Sequence, residues 1–431
     1  MVINSVDLNN KNTYLIHGVT GSGKTEVYMN LIEKVISKGK TAIMLVPEIS
    51  LTTQIVNRFY NRFGFNVAIF HSGLSDGERH DEYKKIINEE IKIVVGTRSA
   101  IFTPLKKIGI IIVDEEHSTN YKQENNPRYN AIDIALKRSE YHNVPLVLGS
   151  ATPSLEAYAR GLKGNYKLIA MNNRIGLSKI PKINIIDMSL EAKKRNMIIS
   201  DALDQKIKER LKNKEQIMIF LNRRGFNTIV TCVNCSHIFK CPNCEISLTY
   251  HKHKNNLKCH YCGYTIFKPE ICPSCKEKAL TSYGLGTEKL EETIKEKYPE
   301  ANIIRMDADT TIKKGSHENI IKQIENEEVD ILIGTQMISK GLDFPKVTLV
   351  GVINADESLN IPDFRSGEYT FSLLNQVSGR AGRSELEGEV IIQTFNPDNP
   401  IIKFVEENNY LNLYKYEMKI RKLLNYPPYY Y

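Results

Sequence analysis

Short apolar runs rich in β-branched residues punctuate the first part of the chain: Tyr14–His17, Thr41–Val46, Val67–His71, Lys92–Val95, Ile108–Val113 and Leu146–Leu148. Each ends in a polar or glycine-containing loop. Amphipathic stretches such as Val27–Ile36 and Leu51–Phe63 lie between some of them. Strands buried on both faces read as continuous apolar runs, and their alternation with helices predicts a parallel sheet covered on both sides. The pattern loosens from about Ile175 to Ile199, where a connector with one strand, Ile183–Ile186, is expected. It resumes in Ile217–Leu221, Ile303–Met306, Ile331–Ile333, Val347–Ile353 and Val390–Phe395. The fold class is therefore α/β, with two lobes of similar design. Lobe one is expected over 1–175 and lobe two over 176–231 and 281–400. A segment of different character, 232–280, interrupts lobe two, and 401–431 reads as a C-terminal helix leading toward a further domain.

Length agrees with two to three domains for 431 residues. No run of 18 apolar residues occurs, so no membrane-spanning helix is expected. Met1–Asn12 is polar and lacks the basic-then-apolar order of a signal peptide, which predicts a cytoplasmic protein. A net charge of +8 leans weakly toward an anionic partner such as nucleic acid.

Gly18-Val19-Thr20-Gly21-Ser22-Gly23-Lys24-Thr25 fits G-x-x-x-x-G-K-[ST] between a predicted strand and a predicted helix. Glycines let backbone N–H groups close around a triphosphate, and the helix N-terminus favours negative charge. Lys24 would reach the β- and γ-phosphates of ATP, and Thr25 would ligate Mg²⁺. The buried-strand run Ile110–Val113 ends in Asp114-Glu115-Glu116-His117. Alone it would pass for a solvated strand tip. Beside a phosphate loop, Asp114 is expected to hold Mg²⁺ and Glu115 to orient and deprotonate the attacking water.

Together with Pro47-Glu48-Ile-Ser-Leu-Thr52, Gly96-Thr97-Arg98-Ser99, Gly149-Ser150-Ala151-Thr152-Pro153, Phe220-Leu-Asn-Arg223-Arg224-Gly225, Gly334-Thr335-Gln336 and Gln376-Val-Ser-Gly379-Arg380-Ala-Gly-Arg383, this order resembles the superfamily 2 helicases. The resemblance implies two RecA-like lobes facing each other across ATP. Gln376, Arg380 and Arg383 would then act from lobe two on nucleotide held by lobe one, and an arginine finger is worth ~10³–10⁵ in rate. It also implies that Asp343, in Gly341-Leu-Asp343-Phe-Pro, lies near the nucleotide. Loops at Thr97, Arg98, Thr152 and Thr335 would grip the nucleic-acid backbone without reading sequence.

All eight cysteines lie in four Cys-x-x-Cys pairs: Cys232/Cys235, Cys241/Cys244, Cys259/Cys262 and Cys272/Cys275. Two closed Cys₄ zinc sites account for all of them, ahead of Fe–S clusters. The 14 residues between the second and third pairs approach a zinc-ribbon spacing. That favours nesting, with the outer pairs (Cys232, Cys235, Cys272, Cys275) on one Zn²⁺ and the inner pairs (Cys241, Cys244, Cys259, Cys262) on the other. Residues 232–280 carry seven lysines and three glutamates, and two Zn–Cys₄ units add about −4, so charge gives this segment no clear DNA preference. His237, His251, His253 and His260 are expected at the surface or beside the metals rather than on them.

A double-zinc insert in lobe two, with Thr-Glu26-Val-Tyr28, Asn222-Arg-Arg-Gly-Phe226, Gly284-Leu-Gly-Thr-Glu288, Lys340-Gly and Asp363-Phe-Arg365-Ser, is similar to the bacterial replication-restart helicases. That resemblance implies ATP-dependent 3′→5′ unwinding of DNA and binding of single-stranded and forked DNA. It further implies work with single-strand-binding protein and primosome proteins, including the loader of the replicative helicase. The family's zinc ligation is likewise nested. Tyr121-Lys122-Gln123 and Pro127-Arg128-Tyr129 resemble its aromatic-rich loop, so Tyr121, Lys122 and Arg128 are expected to meet DNA bases and backbone. The family's N-terminal DNA-binding domains, the adenine-fixing glutamine before Gly18 and the C-terminal domain have no counterpart in this sequence, so a helicase core alone is expected. A zinc-dependent assembly platform with weak ATPase, or an RNA helicase, are the alternative readings.

Overall fold

The structure is a computed structural model that describes residues 2–430 apart from 48–56, 72, 175–179, 195–197, 223–227, 233, 236, 244–247, 252–253, 260–261, 284–285, 308, 312–314, 340–343, 345, 362 and 384–385. The chain forms two compact units, Met1–Gly176 with Pro427–Tyr431, and Leu177–Tyr426.

The first unit is built on a seven-stranded sheet. Its strands are β1 (Thr13–Gly18), β2 (Thr41–Leu45), β3 (Val67–Phe70), β4 (Ile93–Gly96), β5 (Ile108–Val113), β8 (Leu146–Ser150) and β9 (Lys167–Met171). A two-strand ribbon, β6 (Lys122–Gln123) and β7 (Tyr129–Asn130), stands apart. The sheet order is β3-β4-β2-β5-β8-β1-β9, and every pairing is parallel. β2, β4, β5 and β8 are buried almost throughout, as their unbroken apolar runs predict. β9, half exposed on the sheet edge, was not evident from its pattern. The helix Lys24–Ile36 lays Val27, Tyr28, Leu31, Ile32 and Val35 against one face. Of the stretch expected to be helical at Leu51–Phe63, 51–56 lie outside the described residues and 57–63 are helical.

The second unit carries a six-stranded parallel sheet of β10 (Lys182–Asp187), β11 (Gln216–Phe220), β17 (Ile303–Met306), β18 (Ile331–Gly334), β19 (Val347–Val352) and β20 (Glu389–Thr394). Their order is β10-β20-β19-β11-β18-β17. The strand expected in a connector is thus an edge strand of this sheet, in register with β20 from Lys182–Glu389 to Asp187–Thr394. Inserted between β11 and β17 is an antiparallel sheet of β12 (Thr228–Cys232), β13 (Thr249–His251), β14 (Asn256–Lys258), β15 (Thr265–Phe267) and β16 (Leu280–Tyr283). β12 and β16 pair directly, so the insert closes on itself at its root.

The C-terminal segment folds as two helices, Pro400–Glu406 and Tyr410–Leu423, and not as one. The second packs on Ser366–Ser378, a helix buried along most of its length that runs toward Arg380. At this contact Arg421, 1% exposed, donates to Glu368 at 2.6 Å, and its guanidinium lies 5.1 Å from the centre of the Phe364 ring. Removing one member of such a pair strands the other in a poor solvent, at a cost of about 3–5 kcal/mol. Urea unfolding of Arg421→Ala should show a loss of that size. Replacing Glu368 and Arg421 together by Leu and Met should cost distinctly less.

Candidate nucleotide site and metal centres

Because β8 lies between β1 and β5, the loops that leave these three strands open side by side at the carboxyl edge of the sheet, where open α/β sheets bind ligands. The loop after β1 turns through Gly21 and Gly23, both at φ 82°, a left-handed conformation that strains any residue with a Cβ. Gly23 stands immediately before the 13-residue helix that begins at Lys24. Lys24 Nζ donates to the carbonyls of Gly18 (2.6 Å) and Val19 (3.3 Å), holding the ammonium within the loop. The Ser22 hydroxyl is buried and makes no hydrogen bond among the described residues. An ammonium, a helix N-terminus, an orphaned hydroxyl and the adjacent Thr25 form a donor set that suits a Mg²⁺-bound triphosphate.

Asp114 leaves β5 at the neighbouring position. Its Oδ1 accepts from Tyr28 Oη (3.0 Å) and from the N–H of Glu115 (3.0 Å). Burial, then the Glu115 charge, push its carboxyl up to about 6, against the pull of Lys24. Glu115 sits at φ 46°, a left-handed conformation uncommon for a residue with a side chain. This strain falls on the residue that the sequence assigns to water activation. Glu116 turns away and is 4% exposed, accepting from the N–H (2.6 Å) and hydroxyl (3.1 Å) of Ser154. His117 Nδ1 lies 2.7 Å from Ser150 Oγ, which also accepts from the N–H of Thr152 (3.0 Å). The acidic turn is therefore bonded to the Ser150–Ser154 turn at two places.

His17, the residue before Gly18, is held near 4, mainly by burial and secondarily by the Lys24 charge, while a hydrogen bond with the Ala151 backbone works the other way. Its ring packs edge-on against Tyr158. The roles of Tyr28, Glu116, Ser154 and His17 were not readable from the sequence. Tyr28 occurs in the quoted Thr-Glu-Val-Tyr motif, but nothing local shows that its hydroxyl meets a carboxylate 86 residues away.

Four of the residues expected at DNA, Tyr121, Thr97, Thr152 and Arg98, are engaged within the protein. Tyr121 is 1% exposed, and its hydroxyl donates to the Asp114 carbonyl (2.5 Å), with the Leu45 carbonyl at 3.2 Å. Its ring lies in the core beneath the loop and is not offered to a base. The N–H groups of Thr97 and Thr152 are committed to Phe70 O (2.9 Å) and Ser150 Oγ, and both residues are buried. Arg98 Nη1 donates to the carbonyls of Asn120 (3.3 Å) and Lys122 (3.0 Å), so it braces the loop that Tyr121 anchors. Lys122 and Arg128 are exposed on that loop, Arg128 with a bond to the Glu124 carbonyl.

In the second unit Gln376 and Arg380 are buried and Arg383 is half-buried, with its Nε on the Gly379 carbonyl (3.0 Å). Thr335, half-buried, follows β18, and Gln336 donates to Asn222 (3.1 Å). Asp343 lies outside the described residues.

The sulfurs of Cys232, Cys235, Cys272 and Cys275 lie within 4.8 Å of one another, as do those of Cys241, Cys259 and Cys262, while Cys244 is outside the described residues. These sets follow the nested order. The closest sulfurs are 3.5–3.6 Å apart. A disulfide would need about 2.05 Å, whereas a tetrahedron with Zn–S bonds of ~2.3 Å has edges of about 3.8 Å. Three pairs share one turn: the N–H of Cys232, Cys259 and Cys272 donates to His237, Tyr264 and Glu277, five residues on. That turn aims both thiols of a pair at one point.

Three family models match the chain in order. DEAD/DEAH box helicase covers residues 1–160, the PriA DNA helicase Cys-rich region domain 241–266, and the helicase conserved C-terminal domain 275–385. Solved structures of similar fold include RecG bound to a three-way DNA junction (TM-score 0.54, 16% identity, 96% of this chain and 44% of that one). Mss116p bound to ssRNA and AMP-PNP is another (0.56, 15%, 94% and 70%). At these identities they establish the fold alone. With the family models and the cysteine clusters, the chain is two RecA-like helicase lobes with a cysteine-rich insert in the second.

Within that class, the chain belongs to the family of the replication restart protein PriA. The PriA of Bacillus subtilis (strain 168) is 51% identical over 99% of this chain and 53% of its own length. That of Chlamydia pneumoniae is 43% identical over 99% and 58%. The chain spans about half the length of the curated relatives it matches.

His17 supplies a pH test of the site's packing. Its folded value lies below the ordinary 6.5, so the unfolded chain binds more protons between about 6.5 and 4. The stability it contributes is complete above 6.5 and is lost as pH falls through that window, by about 1–2 kcal/mol between pH 7 and pH 5. Asp114, raised to about 6, has the opposite slope across part of the window, so the readout is a difference between proteins. Urea unfolding at the two pH values should show a smaller acid-side loss in His17→Gln than in wild type.

Proposed function

We propose that this chain is the ATP-driven motor of a replication-restart DNA helicase, moving 3′→5′ on single-stranded and forked DNA. The observation that carries the reading is the carboxyl edge of the first sheet. A phosphate loop and an acidic turn stand on strands separated only by β8, and Tyr121 bonds that turn to the loop bearing Lys122 and Arg128. In this reading the Gly18–Gly23 loop and Lys24 cradle the phosphates. Thr25 and Asp114 hold Mg²⁺, which supplies charge neutralisation on the phosphates. Glu115 orients the attacking water and takes its proton. Arg380 and Arg383, with Gln376 and Asp343, are assigned to nucleotide binding and hydrolysis. Lys122, Arg128 and Thr335 meet the DNA backbone. The names of the relatives support a role in replication restart. The family resemblance extends that reading to stalled forks in the cytoplasm, and to work alongside single-strand-binding protein and the proteins that load the replicative helicase.

The cysteine clusters support a second role alongside the first. Closed Cys₄ sites leave no coordination position for catalysis, and the insert's near-neutral charge suits a protein partner as well as DNA. We assign two structural Zn²⁺ ions to it.

ATP turnover measured with single-stranded DNA, forked DNA and RNA of one sequence tests the motor reading. Stimulation by DNA above RNA is expected, and Lys24→Ala should reduce turnover at least 10³-fold, as expected for loss of a charge at a transferring phosphoryl group. Hydrolysis retained in that variant, or equal response to RNA, would contradict it.

Metal content tests the zinc assignment separately. Two Zn per chain are expected by elemental analysis and one in Cys259→Ser. Chelation should open 228–283 to protease, because apparent binding of ~10–16 kcal/mol per site rivals the stability of a whole domain.

A further inference from the structure

We propose that Tyr28 is a positioning residue for the metal-binding carboxylate. Its phenol fixes the Asp114 side chain so that one oxygen is held by the protein and the other is left for Mg²⁺. The inference rests on the nucleotide-site reading above and adds a residue to it.

Tyr28 lies on the buried face of the helix that begins at Lys24 and is fully buried. Its hydroxyl donates to Asp114 Oδ1 at 3.0 Å, and the Glu115 N–H donates to the same oxygen at 3.0 Å. Two donors on one oxygen set the carboxylate's rotation. They also remove Oδ1 from competition, because its lone pairs are spent. A hard cation that demands near-ideal octahedral geometry gains from a ligand oxygen whose direction is set before it binds.

The phenol reaches this position only because of a gap in the neighbouring strand. A Cβ on Gly149 would overlap the Tyr28 oxygen and stand 2.8 Å from the ring carbon that bears it. Gly149 precedes Ser150, the residue facing His117, and its carbonyl accepts from the Glu116 N–H at 3.0 Å. Tyr28 therefore lies where the helix behind the phosphate loop, the acidic turn and the turn after β8 converge. A phenol that only filled space would need no oxygen on the carboxylate and no side-chain-free slot in β8 to hold it.

The test is Tyr28→Phe, which removes one oxygen and keeps the ring. Affinity for a fluorescent ADP analogue is measured with and without Mg²⁺, alongside ATP turnover as a function of Mg²⁺ and thermal melting. Wild type should bind the analogue more tightly with Mg²⁺. In Tyr28→Phe, Mg²⁺-free affinity should match wild type. The affinity gained on adding Mg²⁺ should shrink, and the Mg²⁺ needed for half-maximal turnover should rise, each about tenfold, the scale of one hydrogen bond to a charged group. Gly149→Ala, which drives the phenol off Asp114, should show the same split. Unchanged Mg²⁺ dependence in Tyr28→Phe would overturn the inference while leaving the nucleotide site standing. So would an equal loss of affinity with and without Mg²⁺ together with a lowered melting temperature. If wild type itself gains nothing from Mg²⁺, the site reading fails, and this inference with it.

Discussion

The fold puts a carboxylate where burial disfavours charge and then surrounds it with donors. Asp114 is carried to the tip of a buried strand by an apolar run, Ile108–Val113, that leaves the chain no freedom to place it elsewhere. Burial raises its proton affinity, while Lys24, Tyr28 and the Glu115 N–H favour the charged form. A carboxylate kept in that balance costs the empty protein stability and is ready for a divalent cation, which is why strained and poorly solvated groups gather at functional sites. The left-handed Glu115 beside it belongs to the same arrangement.

From Asp114 the bonding runs outward in three directions within the first unit. Tyr28 ties its side chain to the helix behind the phosphate loop. Glu116 and His117 tie the turn to Ser150 and Ser154 at the end of β8. Tyr121 ties its carbonyl to the start of the loop that exposes Lys122 and Arg128, and Arg98 braces that loop from the turn after β4. One hydrogen bond and one short stretch of chain thus separate Asp114 from exposed cationic side chains, and on the proposed reading a change in what Asp114 holds would pass along them. The second unit uses different means. There a buried Arg421–Glu368 pair fastens the C-terminal helix to the helix leading to Arg380, and thiol clusters organise an insert whose own core is small.

What could be read from the sequence was what is local in it. The glycine loop, the acidic strand end and the Cys-x-x-Cys pairs each put chemistry and backbone geometry into a few consecutive residues. Both parallel sheets showed in runs such as Ile108–Val113 and Val347–Val352, which are buried on every residue. Edge strands were harder: β9 is half exposed and β10 looked like a connector, because an edge carries only part of the apolar signal. The cysteine nesting was legible because loop length limits which pairs can meet. Long-range polar contacts were not legible. An aromatic loop suggested that Tyr121 stacks on DNA, yet its hydroxyl spans 76 residues to Leu45 and its ring is in the core. Nothing in composition or period distinguishes a tyrosine that meets a ligand from one that holds a carbonyl.

The coupling between Asp114 and the loop is most directly tested by amide hydrogen exchange over residues 118–130, with and without a Mg²⁺-bound, non-hydrolysable ATP analogue and in the absence of DNA. Exchange in this loop should change when nucleotide binds, together with protection of the helix after the phosphate loop. Protection of that helix with no response anywhere in 118–130 would contradict the view that the acidic strand end links nucleotide to the loop bearing Lys122 and Arg128.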